Sequence, residues 1–116
     1  MWIFLATASL AMGLQANAPL ACDRNALDES ERKEIRALIT RLAGAVKERQ
    51  ELEDGFRFGL FHEPPVLTAA ARWIELERKC CPFLRFRIDI GAGEAAWRLT
   101  VTGPPGAKEI LREGWK

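Results

Sequence analysis

The sequence has almost no excess of charge of either sign, a single histidine and no hydrophobic run long enough to cross a membrane. Its formal net charge of +1 excludes a strong general attraction to nucleic acid or to acidic lipid. No helix-turn-helix or RNA-recognition signature is present, so no nucleic-acid partner is expected. His62 has no nearby Ser-Gly signature, which leaves hydrolase triads with little support.

What is present is typical of one small folded domain. The 116 residues are 48% hydrophobic and 28% charged, close to the average of globular proteins. A chain of this length accommodates one domain. We therefore expect an apolar leader over residues 1–18 and a single α+β domain over residues 19–116.

The leader has two interpretations. Its 13-residue apolar run, Trp2–Leu14, is shorter than the roughly 20 residues of a transmembrane helix and matches the core of a signal peptide. Small residues at Ala16 and Ala18 suit a signal peptidase, and this interpretation predicts export to the periplasm, with no stable membrane insertion of the mature domain. Two features argue against a signal peptide. Pro19 would lie directly after the cleavage site, and no Lys or Arg precedes the apolar run. The alternative is a start at Met12 and a cytoplasmic protein.

The remaining pattern predicts three helices packed on one face of a three- or four-stranded antiparallel sheet, in the order α-β(β)-α-β-β-α. Helical spacing of apolar residues indicates a first helix, and alternation indicates strands that are apolar on one side. Asp54-Gly55 is a tight-turn signal, and a short strand before it has weaker support. The predicted elements are a helix from Asp28 to about Lys47, strands at 50–53 and 56–61, a helix from Pro65 to about Lys79, a hairpin from Phe83 to Thr102, and a short helix after Gly106.

Cys80 and Cys81 are the most informative residues for function. Adjacent thiols do not readily form a disulfide with each other, but they can chelate one soft ion such as Hg(II), As(III), Cd(II), Zn(II) or Cu(I). The end of a helix raises a thiol pKa, while Arg78 and its basic neighbours act in the opposite direction. Glu77 lies on the same helical side, as a fourth ligand or an acid/base group. The structural alternative is that one cysteine packs as a small hydrophobic residue while the other points outward.

Cys22 is the third thiol. Three thiolates suit trigonal As(III) or Hg(II). In an exported protein, a disulfide from Cys22 to one member of the pair is equally natural and leaves one thiol over. A mobile Cys22 without a partner is the third interpretation.

Four arginines, Arg57, Arg85, Arg87 and Arg98, fall on the polar side of the predicted sheet. This basic stripe is either a surface for a partner or anionic ligand, or a solvated face.

The segments Leu76-Glu-Arg-Lys-Cys-Cys-Pro-Phe-Leu84 and Trp97-Arg-Leu-Thr-Val-Thr-Gly-Pro-Pro-Gly-Ala-Lys-Glu109 resemble a small, largely uncharacterised bacterial family. In that family a CCPF motif precedes a strand pair and a TGPxGxKE-type helix start. The resemblance covers residues 19–113 and implies an association with the response to heavy metals or metalloids. The family pattern does not include an apolar leader. Its presence in this sequence argues against a cytoplasmic location.

The leading hypothesis is a non-catalytic thiol module that binds a soft metal or metalloid ion (Hg, As or Zn) through Cys80 and Cys81, with Cys22 and Glu77 as auxiliary ligands. It requires both neighbouring sulfurs to be reachable by one ion. One alternative is an interaction or scaffold domain with structural cysteines, forming a homodimer through an open sheet edge. Another is a redox protein that uses one low-pKa thiol.

Overall fold

The computed structural model describes residues 20–61 and 63–114. The leader predicted over residues 1–18 and the histidine at position 62 lie outside the described residues. The described part forms a short 3₁₀ helix (Arg24–Ala26), three α-helices and four strands: α1 (Glu29–Ala45), β1 (Val46–Leu52), β2 (Gly55–Phe61), α2 (Pro64–Cys80), β3 (Arg85–Ile90), β4 (Ala96–Thr102) and α3 (Ala107–Gly114). The predicted α+β class, with three helices and an antiparallel sheet, is confirmed.

The first helix is fixed at its start by a reciprocal pair of hydrogen bonds. The Glu31 backbone N–H donates to the Asp28 carboxylate at 2.8 Å, and the Asp28 backbone N–H donates to the Glu31 carboxylate at 3.1 Å. Such a capping box satisfies two N–H groups that the helix itself cannot pair. The helix ends at Ala45, two residues before the predicted Lys47, because the chain turns directly into strand β1 at Val46.

The four strands form one sheet in the order β1-β2-β4-β3, with every neighbouring pair antiparallel. Strand β2 lies next to β4, where Phe58 pairs with Leu99 and Arg57 pairs with Thr100. Gly55 is required at the start of β2, because a Cβ there would overlap the backbone of Val101 on β4. The two outer strands, β1 and β3, leave open edges.

The core lies between one side of the sheet and the helices. A single cluster of buried side chains includes residues from both layers, and the polar residues Arg57, Arg87 and Arg98 alternate with its strand members. No helix among residues 20–61 and 63–114 is long and apolar enough to span a bilayer. The core members on the strands are Phe56, Phe58, Leu60, Trp97, Leu99 and Val101, and those on the helices include Ile35, Leu42, Ala70, Trp73, Leu76, Ala107 and Leu111.

Candidate metal and thiol site

The C-terminal end of α2 carries the two neighbouring cysteines. Cys80 is the last helical residue, and Cys81 adopts a non-helical backbone conformation while its N–H still donates to the Glu77 carbonyl at 2.6 Å. Pro82 follows, and a proline disfavours helical geometry in the residue before it. The helix therefore ends between the two cysteines and turns their side chains differently.

The segment before α1 is bound to this helix end. The Asp23 backbone N–H donates to the Cys80 carbonyl at 2.8 Å, and Leu27 is 1% exposed in the core. The Arg32 guanidinium donates to the Leu27 carbonyl at 2.7 Å. The hydrogen bond from Asp23 places Cys22 beside α2 without involving the Cys22 side chain.

Cys22 and Cys81 form a disulfide, with their Cα atoms 4.7 Å apart. Cys80 is left as a free thiol, 0% exposed, with its Sγ 3.6 Å from the Sγ of Cys81. Of the interpretations open from the sequence, the one present is the disulfide from Cys22 to one member of the pair. The hypothesis of two free, reachable adjacent thiols is wrong for this state, because Cys81 is bonded to Cys22 and both neighbours are buried.

Glu77 lies beside the cysteines at the C-terminal end of α2, and we call the place where these residues meet the junction. Glu77 is 6% exposed, and its carboxylate and the sulfurs of Cys22 and Cys81 all lie within 4.8 Å of one another. Three of the four predicted ligand residues are therefore brought together, and the fourth, Cys80, is adjacent through its contact with Cys81. No other group of three or more metal-ligating side chains meets this distance within residues 20–61 and 63–114.

Burial sets the protonation of both titratable groups at the junction. It raises the pKa of the Glu77 carboxyl above its usual value, while Arg24 and a hydrogen bond from the Trp73 indole act in the opposite direction. Burial also raises the pKa of the Cys80 thiol, and the negative charge of Glu77 raises it further. A protonated, buried Cys80 does not fit a redox mechanism that depends on a low-pKa thiolate.

Two neighbours of the junction were not singled out from the sequence. Trp73 precedes Glu77 by one helical turn, a spacing that could have revealed it. Arg24 follows Cys22 by two residues, and it is the cation that lowers the pKa of both Glu77 and Cys80. The basic residues expected to act there, Arg78 and Arg85, are exposed.

The buried carboxyl gives the stability a measurable pH dependence. Because the folded pKa of Glu77 lies above the value of 4.5 for an unperturbed carboxyl, the folded protein keeps a proton there that the unfolded chain has lost. The contribution of Glu77 to stability is thus fully present below the unfolded pKa and is lost as pH rises through the folded pKa. Glu77→Gln removes this loss, so the variant should become more stable relative to wild type as pH rises from about 4 to about 8.

Urea unfolding of both proteins across this pH range measures the difference. Glu75→Gln is the matched control, because Glu75 lies on the same helix and its side chain is 68% exposed. The control should show no such trend. A constant difference between Glu77→Gln and wild type at all pH values would show that Glu77 titrates alike in the folded and unfolded chains.

Comparisons with known proteins add no further assignment to this site. No protein-family model matches the chain, and no curated protein or solved structure matches it either. The function is therefore inferred from the geometry of Cys22, Glu77, Cys80 and Cys81.

Proposed function

We propose that the reduced protein binds a soft metal or metalloid ion through Cys22, Cys80 and Cys81, and that the Cys22–Cys81 disulfide is the closed form of this site. The observation that carries the proposal is that the Glu77 carboxylate and the sulfurs of Cys22 and Cys81 lie within 4.8 Å of one another, with the sulfur of Cys80 3.6 Å from that of Cys81. The expected resemblance of the CCPF segment to a small, largely uncharacterised bacterial family adds only slight support.

The site is held together without its disulfide. After reduction, the buried Leu27 and the hydrogen bond from Asp23 to Cys80 still bind the N-terminal segment to α2. The three sulfurs then stay near one another, so folding has already ordered them for binding. Because Cys80 and Cys81 are 0% and 1% exposed, an ion reaches them only when the segment that carries Cys22 moves away from α2.

The sulfur spacing suits a shared ion. An ion about 2.3 Å from each of two sulfurs in tetrahedral geometry places those sulfurs about 3.8 Å apart. The sulfurs of Cys80 and Cys81 are 3.6 Å apart. A cellular dithiol can reduce the disulfide by supplying two electrons and two protons. The two sulfurs of Cys22 and Cys81 can then separate to the distance that a shared ion requires.

Burial favours trivalent arsenic among the soft ions. Arsenous acid reacts with three thiols to form three As–S bonds, and its three hydroxides leave as water with the three thiol protons. The product has no net charge, which suits a site where Cys80 and Cys81 are 0% and 1% exposed. A divalent ion with three thiolates carries a net negative charge, which costs more to bury.

The test is titration of the protein, reduced with a phosphine, with As(III), Hg(II) and Zn(II). Thiolate-to-metal absorbance and native mass spectrometry measure binding. We expect one As(III) per chain in the reduced wild type and none in the oxidised protein. Cys80→Ser and Cys22→Ser should each weaken binding by about 100-fold or more, because each removes one of three bonds.

The double variant Cys80→Ser/Cys81→Ser and the surface variant Glu75→Gln complete the set. The double variant should not bind, and Glu75→Gln should bind like wild type. Equal affinity of wild type and the double variant for all three ions would overturn the proposal.

A second candidate is an interaction domain in which the cysteines are structural. It is favoured by the open edge of β3, where Ile90 is 52% exposed, since such an edge can pair with a second copy. A sedimentation coefficient that rises with protein concentration, together with no As(III) binding, would favour this candidate over the first.

A further inference from the structure

The side of the sheet that faces away from the core carries three arginines grouped around one threonine. Arg57 on β2 and Arg87 on β3 both pair with Thr100 on β4, which lies between them. Arg98 is two residues before Thr100 on the same strand and so lies on the same side. We call Arg57, Arg87 and Arg98 the arginine cluster.

The threonine at the centre is buried without a partner. Thr100 is 9% exposed, and its hydroxyl makes no hydrogen bond to any of the described residues. A buried hydroxyl that has lost its water and gained no partner costs stability. Valine has nearly the same shape and no such cost, so the hydroxyl is unexplained by packing.

Glu48, Asp89 and Glu94 lie around the same threonine, but within the described residues only Asp89 forms an ion pair with the arginine cluster. Arg87 meets Asp89 at 3.1 Å, and Arg57 donates to the Gln50 side chain at 3.3 Å. Arg98 has no ion pair or side-chain hydrogen bond within the described ranges. Like charges on neighbouring positions of a sheet face repel one another.

Space for a small ligand lies beside these groups. A shallow hollow on this side of the sheet is lined by the arginine cluster and Thr100, and also by the carboxylates of Glu48, Asp89 and Glu94. These carboxylates limit the hollow to a compact ligand.

We propose that the arginine cluster and Thr100 bind a phosphate group. A guanidinium donates two parallel hydrogen bonds to one oxyanion, and a threonine hydroxyl donates a third. A phosphate would give Arg57 and Arg98 an anionic partner and the Thr100 hydroxyl a hydrogen-bond partner. The site lies on the opposite side of the sheet from the core, so it does not depend on the proposed thiol function.

Calorimetric titration with inorganic phosphate tests the site, and phenyl phosphate distinguishes a free phosphate from one carried on an organic group. Arg98→Gln and Thr100→Val should each weaken binding by at least about tenfold. Arg36→Gln, an exposed arginine on α1, is the matched control and should bind like wild type.

Thermal unfolding without ligand separates binding from folding. Thr100→Val should unfold at or above the wild-type temperature, because it removes an unsatisfied buried hydroxyl. Arg98→Gln should unfold close to the wild-type temperature, because Arg98 makes no ion pair within the described residues. Two results would overturn the proposal: no saturable phosphate binding by wild type at constant ionic strength, or an equal loss of binding in Arg36→Gln.

Discussion

Reduction of the Cys22–Cys81 disulfide should lower the free energy of unfolding by about 4 kcal/mol. The two cysteines are 59 residues apart in sequence, and closing a loop of this length removes about that much free energy from the unfolded chain. The contacts of Leu27 and Asp23 do not involve the two sulfurs, so we expect them to remain in the reduced protein. The loss therefore measures the crosslink itself and not the detachment of the N-terminal segment.

Urea unfolding of oxidised and phosphine-reduced protein measures this difference. Cys22→Ala/Cys81→Ala should match the reduced wild type, whereas Cys80→Ala keeps the disulfide and should stay close to the oxidised protein. A loss below about 1 kcal/mol would show that the crosslink constrains the unfolded chain far less than its sequence separation requires.

Arsenite links this prediction to the proposed function. An ion that binds only the folded, reduced protein stabilises it by about 2.7 kcal/mol at 100 times its dissociation constant. We expect As(III) to restore much of the stability of reduced wild type and none of that of Cys22→Ala/Cys81→Ala. If As(III) stabilises both proteins equally, the stabilisation does not come from a site that contains Cys22 and Cys81.

The sequence predicts most of the fold, because its strongest signals are local. The cap at Asp28 and the apolar spacing of α1 depend only on neighbouring residues, and both are found in the structure. The sequence predicts a strand only at 50–53, whereas β1 covers Val46–Leu52. The prediction is too short because Val-Lys-Glu-Arg-Gln-Glu-Leu has no alternation of apolar and polar residues. These residues form a strand because β2 pairs with them along their length. Pairing between strands cannot be predicted from the local sequence alone.

The candidate site was predictable in its residues but not in its arrangement. The adjacency of Cys80 and Cys81 and the helical spacing of Glu77 are features of sequence alone. Which of the two sulfurs bonds Cys22 depends on where the helix ends and where Leu27 anchors the chain before α1. These are properties of the packed core, so the sequence left the pairing open.

The junction concentrates groups that reduce stability. Glu77 and Cys80 are both buried, and burial disfavours the charged form of each. Local features that cost stability and cluster at one point are typical of functional sites. A purely structural disulfide explains the Cys22–Cys81 bond, but it does not require a buried carboxyl and a third sulfur beside that bond.

Trp73→Ala should lower the free energy of unfolding by about 3–5 kcal/mol, the range for removing a large buried aromatic side chain. Trp73 is 1% exposed, and its ring meets Phe86 of β3 edge-on, with centroids 5.4 Å apart. It thus joins α2 to the sheet one helical turn before Glu77. Urea unfolding of the oxidised protein measures the loss, and a loss below about 1 kcal/mol would mean that the core refills the space.

Trp73→Phe and Trp97→Phe separate packing from the effect on the site. Both tryptophans are 1% exposed, so both variants remove a similar buried volume. The Trp73 indole also lowers the pKa of Glu77, whereas Trp97 is not among the groups that shift that pKa. Only Trp73→Phe should raise the pKa of Glu77 further. The free energy of unfolding of Trp73→Phe should therefore fall over a wider pH range above 4.5 than that of Trp97→Phe. Identical pH profiles of the two variants would show that Trp73 supports the fold alone and leaves the protonation of the site unchanged.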